Sequence, residues 1–460
     1  MEEVGRLPHA SSRDIDDAVA AARRTFDSGV WRRMSPKDRG LRLRRLAELL
    51  DARAGELAEL EARDTGKAVS YTLANDLAIA VEALEMAASR FRVLPSTTGV
   101  LAPDHVYHEL VQPVGVVAEL LPWNGPIWTG VQRLAAILSA GCAAVFKPSE
   151  LGSLTFARIA ELTVEADLPP GLVNVIYGDG RTGAELVAHD GVDAVSFTGG
   201  TETGGRILAS LARSIRPVTL ELGGKNALVV LDDADIEAAA HWAAIGGFAN
   251  AGQVCVASSR VLVAETRHDD FVAALARHAE EIRVGDPLAV DSEMGTLVGR
   301  DHADKVWGAI ELAWRDGQVV SGGRAYQDGR SVGAFVPPTV VTDLPRGHSL
   351  LRAEVFGPVV TIERFANVSD AIHAANDTRY GLSAGVFTGN VGLAWEVAAA
   401  LRVGEVYVNR WFSPGVLEAP AAGQKQSGLG PVGLDSYLRR TGVFFNRGDD
   451  LSSFPAASGN

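Results

Sequence analysis

Apolar residues recur at helical spacing along the first ninety residues of the chain. In the segment SSRDIDDAVAAARRTF, one face of a predicted helix carries Ile15, Val19, Ala22 and Phe26. A second helix is predicted to begin after Ser35, since Pro36 stands at the first helical position and Asp38 stands three residues after the cap. The hydrophobic pattern therefore predicts a helical first segment.

From residue 114 the pattern changes to short apolar runs that alternate with helical stretches. The runs VGVVAELL, CAAVF, LVNVIY, VDAVSF and PVTLEL each end in a loop of Gly, Pro or polar residues. Such alternation predicts a parallel, doubly wound sheet, in which ligands bind beyond the carboxyl ends of the strands. The loops PWNGP, KPSE, GDG and FTGG are therefore predicted to line one crevice.

A second α/β unit begins after residue 224 and carries the segment NAGQVCVASSR. The predicted fold class is α/β, with a doubly wound parallel-sheet domain, a second α/β domain and a small extended element. The predicted boundaries are 1–95 and 114–224 for the first domain, 225–424 for the second, and 96–113 with 425–460 for the extended element. A chain of 460 residues is long enough for two or three such units.

Composition and charge exclude several classes of protein. The formal charge of −14 argues against a nucleic-acid partner, which would require clustered Lys and Arg. Two cysteines cannot build a disulfide framework, which favours a reducing compartment. The amino-terminal segment lacks an apolar signal region, and no apolar run approaches the roughly 18 residues of a membrane span. We therefore expect a cytoplasmic protein without a membrane partner.

Cys255 lies in an unusually open sequence setting for a cysteine, among Gly, Ala, Gln and Ser. A nucleophilic cysteine needs a thiolate form, donors for the oxyanion that forms at a carbonyl, and a nearby base. Asn124, in the tight PWNGP loop, is a candidate donor beside the backbone N–H of Cys255. Glu221, at the end of PVTLEL, is a candidate base.

Each of these residues also has a purely structural interpretation. Cys255 taken alone is equally consistent with a buried thiol, Asn124 with a turn former, and Glu221 with a helix cap or an ion pair. Cys142 is predicted to be a strand core residue. The pair of His105 and His108 lacks a third ligand, so no metal site is expected.

One further motif, GLSAG, fits the pattern of a serine-hydrolase nucleophile at Ser383. That nucleophile must follow a strand and precede a helix. Here a helical stretch precedes the motif and a strand-like stretch follows it. Ser383 is therefore not expected to be a nucleophile.

The motifs PWNGP, KPSE, FTGGTETG, LELGGKN, GQVC, EVFGPVV and QKQSGLG occur in one order along nearly the whole chain. In that order and spacing the chain resembles the NAD(P)-dependent aldehyde dehydrogenase superfamily. The resemblance implies an NAD-binding first domain, a catalytic second domain and an oligomerisation element. It also implies that Cys255 attacks the aldehyde, that Asn124 and the Cys255 backbone hold the oxyanion, and that Glu221 activates water to release the acid.

The resemblance implies a further set of residues around the cofactor and the substrate. Cofactor contacts are expected from Leu121, Pro122, Trp123, Lys147, Ser149, Glu150, Gly180, Phe197, Thr198, Gly199, Gly200, Gly204, Leu222, Gly223, Glu354 and Phe356. Substrate contacts are expected from Gly125, Trp128, Thr129, Gln132, Trp411 and Phe412, which suggests a medium-sized apolar or aromatic aldehyde. The carboxylate of Glu150 favours NAD over NADP, because it would repel a 2′-phosphate.

The chain departs from the family pattern at four positions. Gly125 stands where the family often has a larger side chain, which suggests a wider substrate funnel, and Gly200 stands where Ser is usual. Many members have Lys at the position of Arg133 and Glu at that of Val432, residues assigned to proton relay. Neither residue present here can relay a proton, so we expect Glu221 to exchange protons through water.

Two other functions remain open on the sequence alone. The pair of Cys255 and Glu221 would also suit a thiol esterase that needs no nucleotide. A non-catalytic scaffold is the second alternative, although it would not need all three candidate residues. The resemblance further implies a homodimer or a homotetramer, and the sequence does not decide between them.

Overall fold

The computed structural model describes residues 3–90, 96–102, 105–326, 333–412 and 422–446. Two mostly parallel sheets form the centres of the two predicted α/β units. The first sheet belongs to one continuous apolar core, whereas alternate strand residues of the second sheet enter two separate cores on its two faces. Both sheets are therefore covered, as expected for parallel sheets.

The amino-terminal segment is helical, as its hydrophobic pattern predicts. Its helices are α1 Ser12–Ser28, α2 Pro36–Ala52, α3 Ala54–Thr65, α4 Val69–Tyr71 and α5 Leu77–Arg90, with a π-helical turn at Thr72–Asp76. The buried residues of α1 include Ile15, Val19 and Ala22. Ser35 caps α2 by accepting the Asp38 N–H. Both sequence predictions for this region are confirmed.

The predicted extended element begins with a hairpin of two antiparallel strands, β1 Thr98–Ala102 and β2 His105–Pro113. The first α/β unit follows as β3 Val116–Leu120, α6 Pro126–Ala140, β4 Ala143–Lys147, α7 Leu154–Glu165, β5 Val173–Val175, α8 Gly180–Ala188, β6 Ala194–Thr198, α9 Thr201–Leu211 and β7 Val218–Glu221. The strand order β7-β6-β3-β4-β5 is parallel throughout. The predicted doubly wound sheet is confirmed.

The second α/β unit contains β8 Ala227–Val230, α10 Ile236–Phe248, β9 Arg260–Ala264, α11 His268–Glu281, α12 Arg300–Asp316, β10 Gln318–Ser321, β11 Thr339–Thr342, α13 Ser349–Arg352, β12 Val359–Phe365, α14 Val368–Asn376, β13 Tyr380–Gly381, β14 Ser383–Phe387, α15 Val391–Ala400, β15 Glu405–Val408 and β16 Gln424–Lys425. The sheet order is β10-β11-β12-β9-β8-β14-β15. Only the edge pair of β10 and β11 is antiparallel among its described pairings.

The carboxyl-terminal strands join two different parts of the molecule. Strand β18 Leu438–Asn446 pairs with β2 along nine residues and completes the extended sheet. Strand β17 Gly428–Leu429 instead pairs with β7 of the first domain. Tyr437 is also buried in the core of that domain. The stretch 428–437 thus packs with the first domain, although the sequence grouped it with the extended element.

Of the helices in the described ranges, none combines the length and the apolarity that a bilayer crossing requires.

Candidate functional site

The residues expected to contact a cofactor lie at the carboxyl ends of parallel strands. Their loops follow the strands β3, β4, β5, β6 and β7, which are neighbours in one sheet and run in one direction. This placement brings together Leu121, Pro122, Trp123, Lys147, Ser149, Glu150, Gly180, Phe197, Thr198, Gly199, Gly200, Gly204, Leu222 and Gly223. These loops therefore lie together along one edge of the sheet, where the sequence predicts a groove for a cofactor.

The second domain reaches this groove through the EVFGP loop. Glu354 accepts the backbone N–H of Gly224 at 3.0 Å, which ties this loop to the chain just after β7. The ring of Phe356 lies edge-on to that of Trp123, with centroids 5.4 Å apart. His302 lies beside both rings and contacts the Phe356 carbonyl at 2.7 Å. The two domains thus meet where the sequence expected a cofactor.

A left-handed turn carries the chain from α10 towards Cys255. Asn250, Ala251 and Gly252 have φ values of 49°, 54° and 70°. A Cβ at Gly252 would lie 2.2 Å from the carbonyl oxygen of Gly357, so this position requires glycine for space as well as for conformation. Left-handed residues other than glycine are strained and persist only where the surroundings fix them. The loop that carries Cys255 is therefore built against the EVFGP loop.

Hydrogen bonds from three buried asparagines hold the loop that carries Cys255. The side-chain amide of Asn124 donates to the Gln253 carbonyl at 3.0 Å, two residues before the cysteine. Asn250 donates back to the Asn124 carbonyl at 3.2 Å. Asn226 donates to the carbonyl of Cys255 at 2.9 Å. Asn124 and Cys255 therefore share one hydrogen-bonded frame.

Beside this frame lies a cavity that aromatic residues line in part. Its lining consists of Lys67, Tyr71, Asp76, Ile79, Asn124, Trp128, Asn250, Val254 and Phe412. Trp128 and Phe412 were expected there from the sequence. A Cβ at Gly125 would lie 1.9 Å from Nε1 of Trp128, so the indole fills the space that a larger residue 125 would take. The expectation of a wider funnel at Gly125 is therefore not supported.

Other expected substrate residues lie elsewhere. Thr129 and Gln132 are not among the described residues that line this cavity. Trp411 is fully buried, and its Nε1 donates to the Val256 carbonyl at 3.0 Å, so it supports the cysteine loop from behind. The sequence analysis did not identify Lys67 or Asp76, because neither residue belongs to a loop at the end of a predicted strand.

The pKa values of the Cys255 thiol and of the candidate base Glu221 differ widely. Burial, together with the carboxylates of Glu221, Glu354 and Glu405, raises the pKa of the Cys255 thiol to about 12. Burial also raises the pKa of Glu221 to about 7, against the opposing charge of Arg133. Glu221 can therefore accept a proton near neutral pH, while the thiol needs a base to become a thiolate. Glu405 is a nearby carboxylate that the sequence analysis did not identify.

The buried side chain of Arg133, near Glu221, stays charged. Burial alone would lower its pKa, but the charges of Tyr437, Glu119 and Glu221 raise it instead. Its Nη2 donates to Thr198 Oγ1 at 3.4 Å.

The remaining chemical motifs have structural surroundings. Cys142 is buried in the first core, where burial raises its pKa to about 12. Ser383 is buried at the start of β14, so its motif precedes a strand and not a helix. His108 lies 2.8 Å from Thr98 Oγ1 across the hairpin.

Comparison with known proteins gives a consistent result along the chain. The family model described as "Aldehyde dehydrogenase family" matches residues 1–441. A betaine aldehyde dehydrogenase of Cereibacter sphaeroides is 41% identical over 453 residues, which cover 97% of this chain and 92% of that protein. A betaine aldehyde dehydrogenase of Bacillus subtilis is 37% identical over 457 residues, with coverage of 97% and 92%.

Solved structures agree with these sequence matches. The aldehyde dehydrogenase KauB of Pseudomonas aeruginosa superposes with a TM-score of 0.93 at 35% identity. The superposition covers 96% of this chain and 90% of the KauB chain. A point mutant of the betaine aldehyde dehydrogenase of Staphylococcus aureus, in complex with NAD⁺, superposes with a TM-score of 0.91 at 36% identity, with coverage of 97% and 91%.

Proposed function

This chain belongs to the aldehyde dehydrogenase family and is an aldehyde-oxidising enzyme, and we propose that its chemistry passes through Cys255, assisted by Asn124 and Glu221. The observation that carries the proposal is the shared frame of Asn124, Gln253 and Cys255 beside an aromatic-lined cavity. A nucleophile, an amide donor and a base with a pKa of about 7 are the groups that acyl chemistry at an aldehyde carbon requires.

The groove fits a dinucleotide cofactor. Helix α9 begins at Thr201 without a side-chain cap, and a Cβ at Gly200 would meet open space. Its first N–H groups are thus available to a pyrophosphate. Lys147 and Glu150, after β4, would hold the adenosine ribose, and Phe356 beside Trp123 would border the nicotinamide. The relatives solved with NAD⁺ support NAD as the cofactor.

The reaction begins with proton transfer from the thiol of Cys255, for which Glu221 is the candidate base. The thiolate sulfur forms a bond to the aldehyde carbon, and the carbonyl electron pair moves to the oxygen. Asn124 Nδ2 and the Cys255 backbone N–H then donate to that oxyanion. The chemistry that bound NAD supplies is acceptance of a hydride, after which the acyl group remains on Cys255 as a thioester.

Release of the product returns the cysteine to its starting state. The proton that Glu221 took from the thiol first passes to solvent. Glu221 then removes a proton from a water molecule, and the water oxygen attacks the thioester carbon. The C–S bond breaks, the thiolate takes up a proton, and the carboxylic acid leaves. Glu221 loses its proton to solvent, because the Arg133 side chain cannot accept one and Val432 cannot ionise.

The cavity lining supports a medium-sized apolar or aromatic aldehyde as the substrate. Tyr71, Trp128 and Phe412 provide aromatic surface close to Asn124. The same surface favours a second candidate, an aldehyde with a quaternary ammonium group, since aromatic faces attract such cations. The names of the betaine aldehyde dehydrogenases among the relatives are in keeping with that candidate.

An aldehyde panel with both nucleotides, followed at the NADH absorbance, tests this proposal. Cys255→Ala is expected to abolish oxidation, whereas Cys142→Ala is expected to retain it. Glu221→Gln is expected to release NADH in its first turnover and then to turn over slowly. Full oxidation by the Cys255→Ala variant contradicts the proposal. Ester hydrolysis without NADH formation from any aldehyde identifies the esterase instead, and inactivity of the unaltered protein in both assays identifies the scaffold.

We also propose that the enzyme is a homodimer or a homotetramer assembled through the extended sheet of β1, β2 and β18. Large apolar side chains stand exposed on this sheet, among them Val100, Leu101, Phe444 and Phe445. An exposed apolar patch of this kind is typical of an interface. The cytoplasmic location stays a prediction from composition.

A further inference from the structure

Three buried ionisable side chains, Glu61, Lys67 and Asp76, form a cluster next to the candidate site, and Lys67 and Asp76 also line its cavity. None of them has a chemical step in the proposed reaction. Lys67 Nζ lies 2.5 Å from Glu61 Oε1 and also pairs with Asp76, and all three side chains are at most 2% exposed. Burial of ions is costly unless each one is paired. Two carboxyl groups here share one ammonium group, and burial raises the pKa of Glu61 to about 8, so the cluster is held at a cost in free energy that calls for a reason.

A reason for the cluster is found at the second carboxyl oxygen of Glu61. This oxygen accepts the backbone N–H of Ile127 at 3.3 Å, in the first turn of α6. That helix lacks a cap of its own, because its N-cap residue is Gly125 and Pro126 has no N–H to donate. A carboxylate at this position also interacts favourably with the positive end of the helix dipole. Glu61 therefore caps α6 from a different helix, and Lys67 fixes Glu61.

The residue immediately before this capped turn is Asn124. We propose that the cluster of Glu61, Lys67 and Asp76 is a positioning device for Asn124, which fixes the start of α6 and so holds the Asn124 amide where it donates to the substrate oxygen. The inference rests on the oxyanion role proposed for Asn124. Hydrogen bonds connect Lys67 to Glu61 and Glu61 to the start of α6, which follows Asn124. The Asn124 amide in turn donates to the Gln253 carbonyl.

The chain contains a matched control for this role. Asp64 lies three residues after Glu61 on the same helix α3 and accepts the Leu154 N–H at 2.9 Å. It thereby caps α7, which also lacks a side-chain cap of its own. Glu61→Gln and Asp64→Asn thus each replace the carboxyl group of a helix cap by an amide, but only Glu61 caps the helix that follows Asn124.

The experiment compares first-turnover NADH formation at saturating NAD and aldehyde. Glu61→Gln is expected to lower this rate about tenfold, a part of the 10²- to 10³-fold cost of losing an oxyanion donor. Asp64→Asn is expected to leave it unchanged. If Glu61→Gln does not fold, Glu61→Asp provides the same comparison, since the shorter side chain cannot reach both the Lys67 ammonium group and the Ile127 N–H. A decrease of equal size in Asp64→Asn, or no decrease in either cluster variant, overturns the inference.

A double-mutant cycle with Asn124→Ala distinguishes positioning from general destabilisation. If the cluster acts through Asn124, its substitution no longer lowers the first-turnover rate in the Asn124→Ala background. If the two decreases multiply, the cluster acts in another way and the inference is wrong. If Asn124→Ala by itself leaves the rate unchanged, the oxyanion role in the proposed function is what fails. The two proposals can therefore fail separately.

Discussion

The ammonium group of Lys147 lies 3.2 Å from the carboxylate of Glu150, at the carboxyl end of β4. Lys147 is almost fully buried, whereas about half of the Glu150 side chain is exposed to the groove, at 52%. The pair thus presents a carboxylate where an adenosine ribose is expected. Such a carboxylate accepts a 2′-hydroxyl and repels a 2′-phosphate.

We expect Glu150→Gln to raise kcat/KM for NADP relative to NAD by about tenfold, because one repulsive charge is removed. Steady-state kinetics with both nucleotides at a fixed aldehyde concentration measure this ratio. Glu161→Gln is the control, since Glu161 is an exposed carboxylate of the same domain that pairs with Arg158. A ratio that does not change in Glu150→Gln assigns cofactor preference to other residues.

The charge of Arg133 is expected to set the pH at which Glu221 works. A base acts when it is deprotonated, so deacylation should rise with pH through the Glu221 pKa of about 7. Arg133 lowers that pKa, and Arg133→Met should therefore move the rise to higher pH by about one unit. Single-turnover deacylation measured from about pH 6 to about pH 9, a range that includes the midpoint before and after the shift, tests this prediction.

Arg133→Lys keeps the positive charge and should retain the original midpoint. A midpoint that is the same in Arg133→Met and in the unaltered enzyme excludes electrostatic control of Glu221 by Arg133.

The contact between Gly125 and the Trp128 indole predicts a change in specificity. The φ value of Gly125 is −152°, outside the left-handed region that favours glycine, so the main expected effect of Gly125→Ala is steric. The new methyl group should push the indole into the cavity and lower kcat/KM for an aromatic aldehyde about tenfold more than for acetaldehyde. The double variant Gly125→Ala with Trp128→Ala should lose this discrimination. Equal effects on both aldehydes would place the binding site outside this cavity.

The exposed side chain of Phe444 is expected to stabilise the oligomer. Phe444 is 72% exposed on β18, so Phe444→Ser should shift the mass in solution towards the single chain of 48.5 kDa. Sedimentation or mass photometry measures this shift. Trp395→Ser is a matched control, because Trp395 is 74% exposed on α15 and lies outside the extended sheet. An unchanged mass in Phe444→Ser means that another surface holds the subunits together.

Short sequence patterns predicted those features of the fold that depend on residues close together in the chain. Pro36 and Ser35 mark the start of α2, and the run of apolar strands before polar loops predicts the groove, because both depend on residues close together in the chain. The setting of Cys255 was also visible, as its small neighbours belong to one short segment.

Contacts between distant segments could not be predicted in this way. The cap of α6 comes from Glu61, which lies 66 residues before Ile127. The indole of Trp128 fills the space beside Gly125 through a choice of side-chain conformation, which the sequence does not specify. The family resemblance implied that Trp411 contacts the substrate, yet the packing of the second core buries it completely.

The pairing of β17 with β7 has a consequence for synthesis of the chain on the ribosome. Gly428 lies opposite Glu221, and Ser427 Oγ donates to the carbonyl of Gly223, 204 residues earlier. A growing polypeptide that already contains Cys255, Asn124 and Glu221 still has an open sheet edge beside Glu221. Residues 427–429 must therefore be synthesised before this edge is paired, and a product that stops short of them would carry the three candidate residues in an unfinished site.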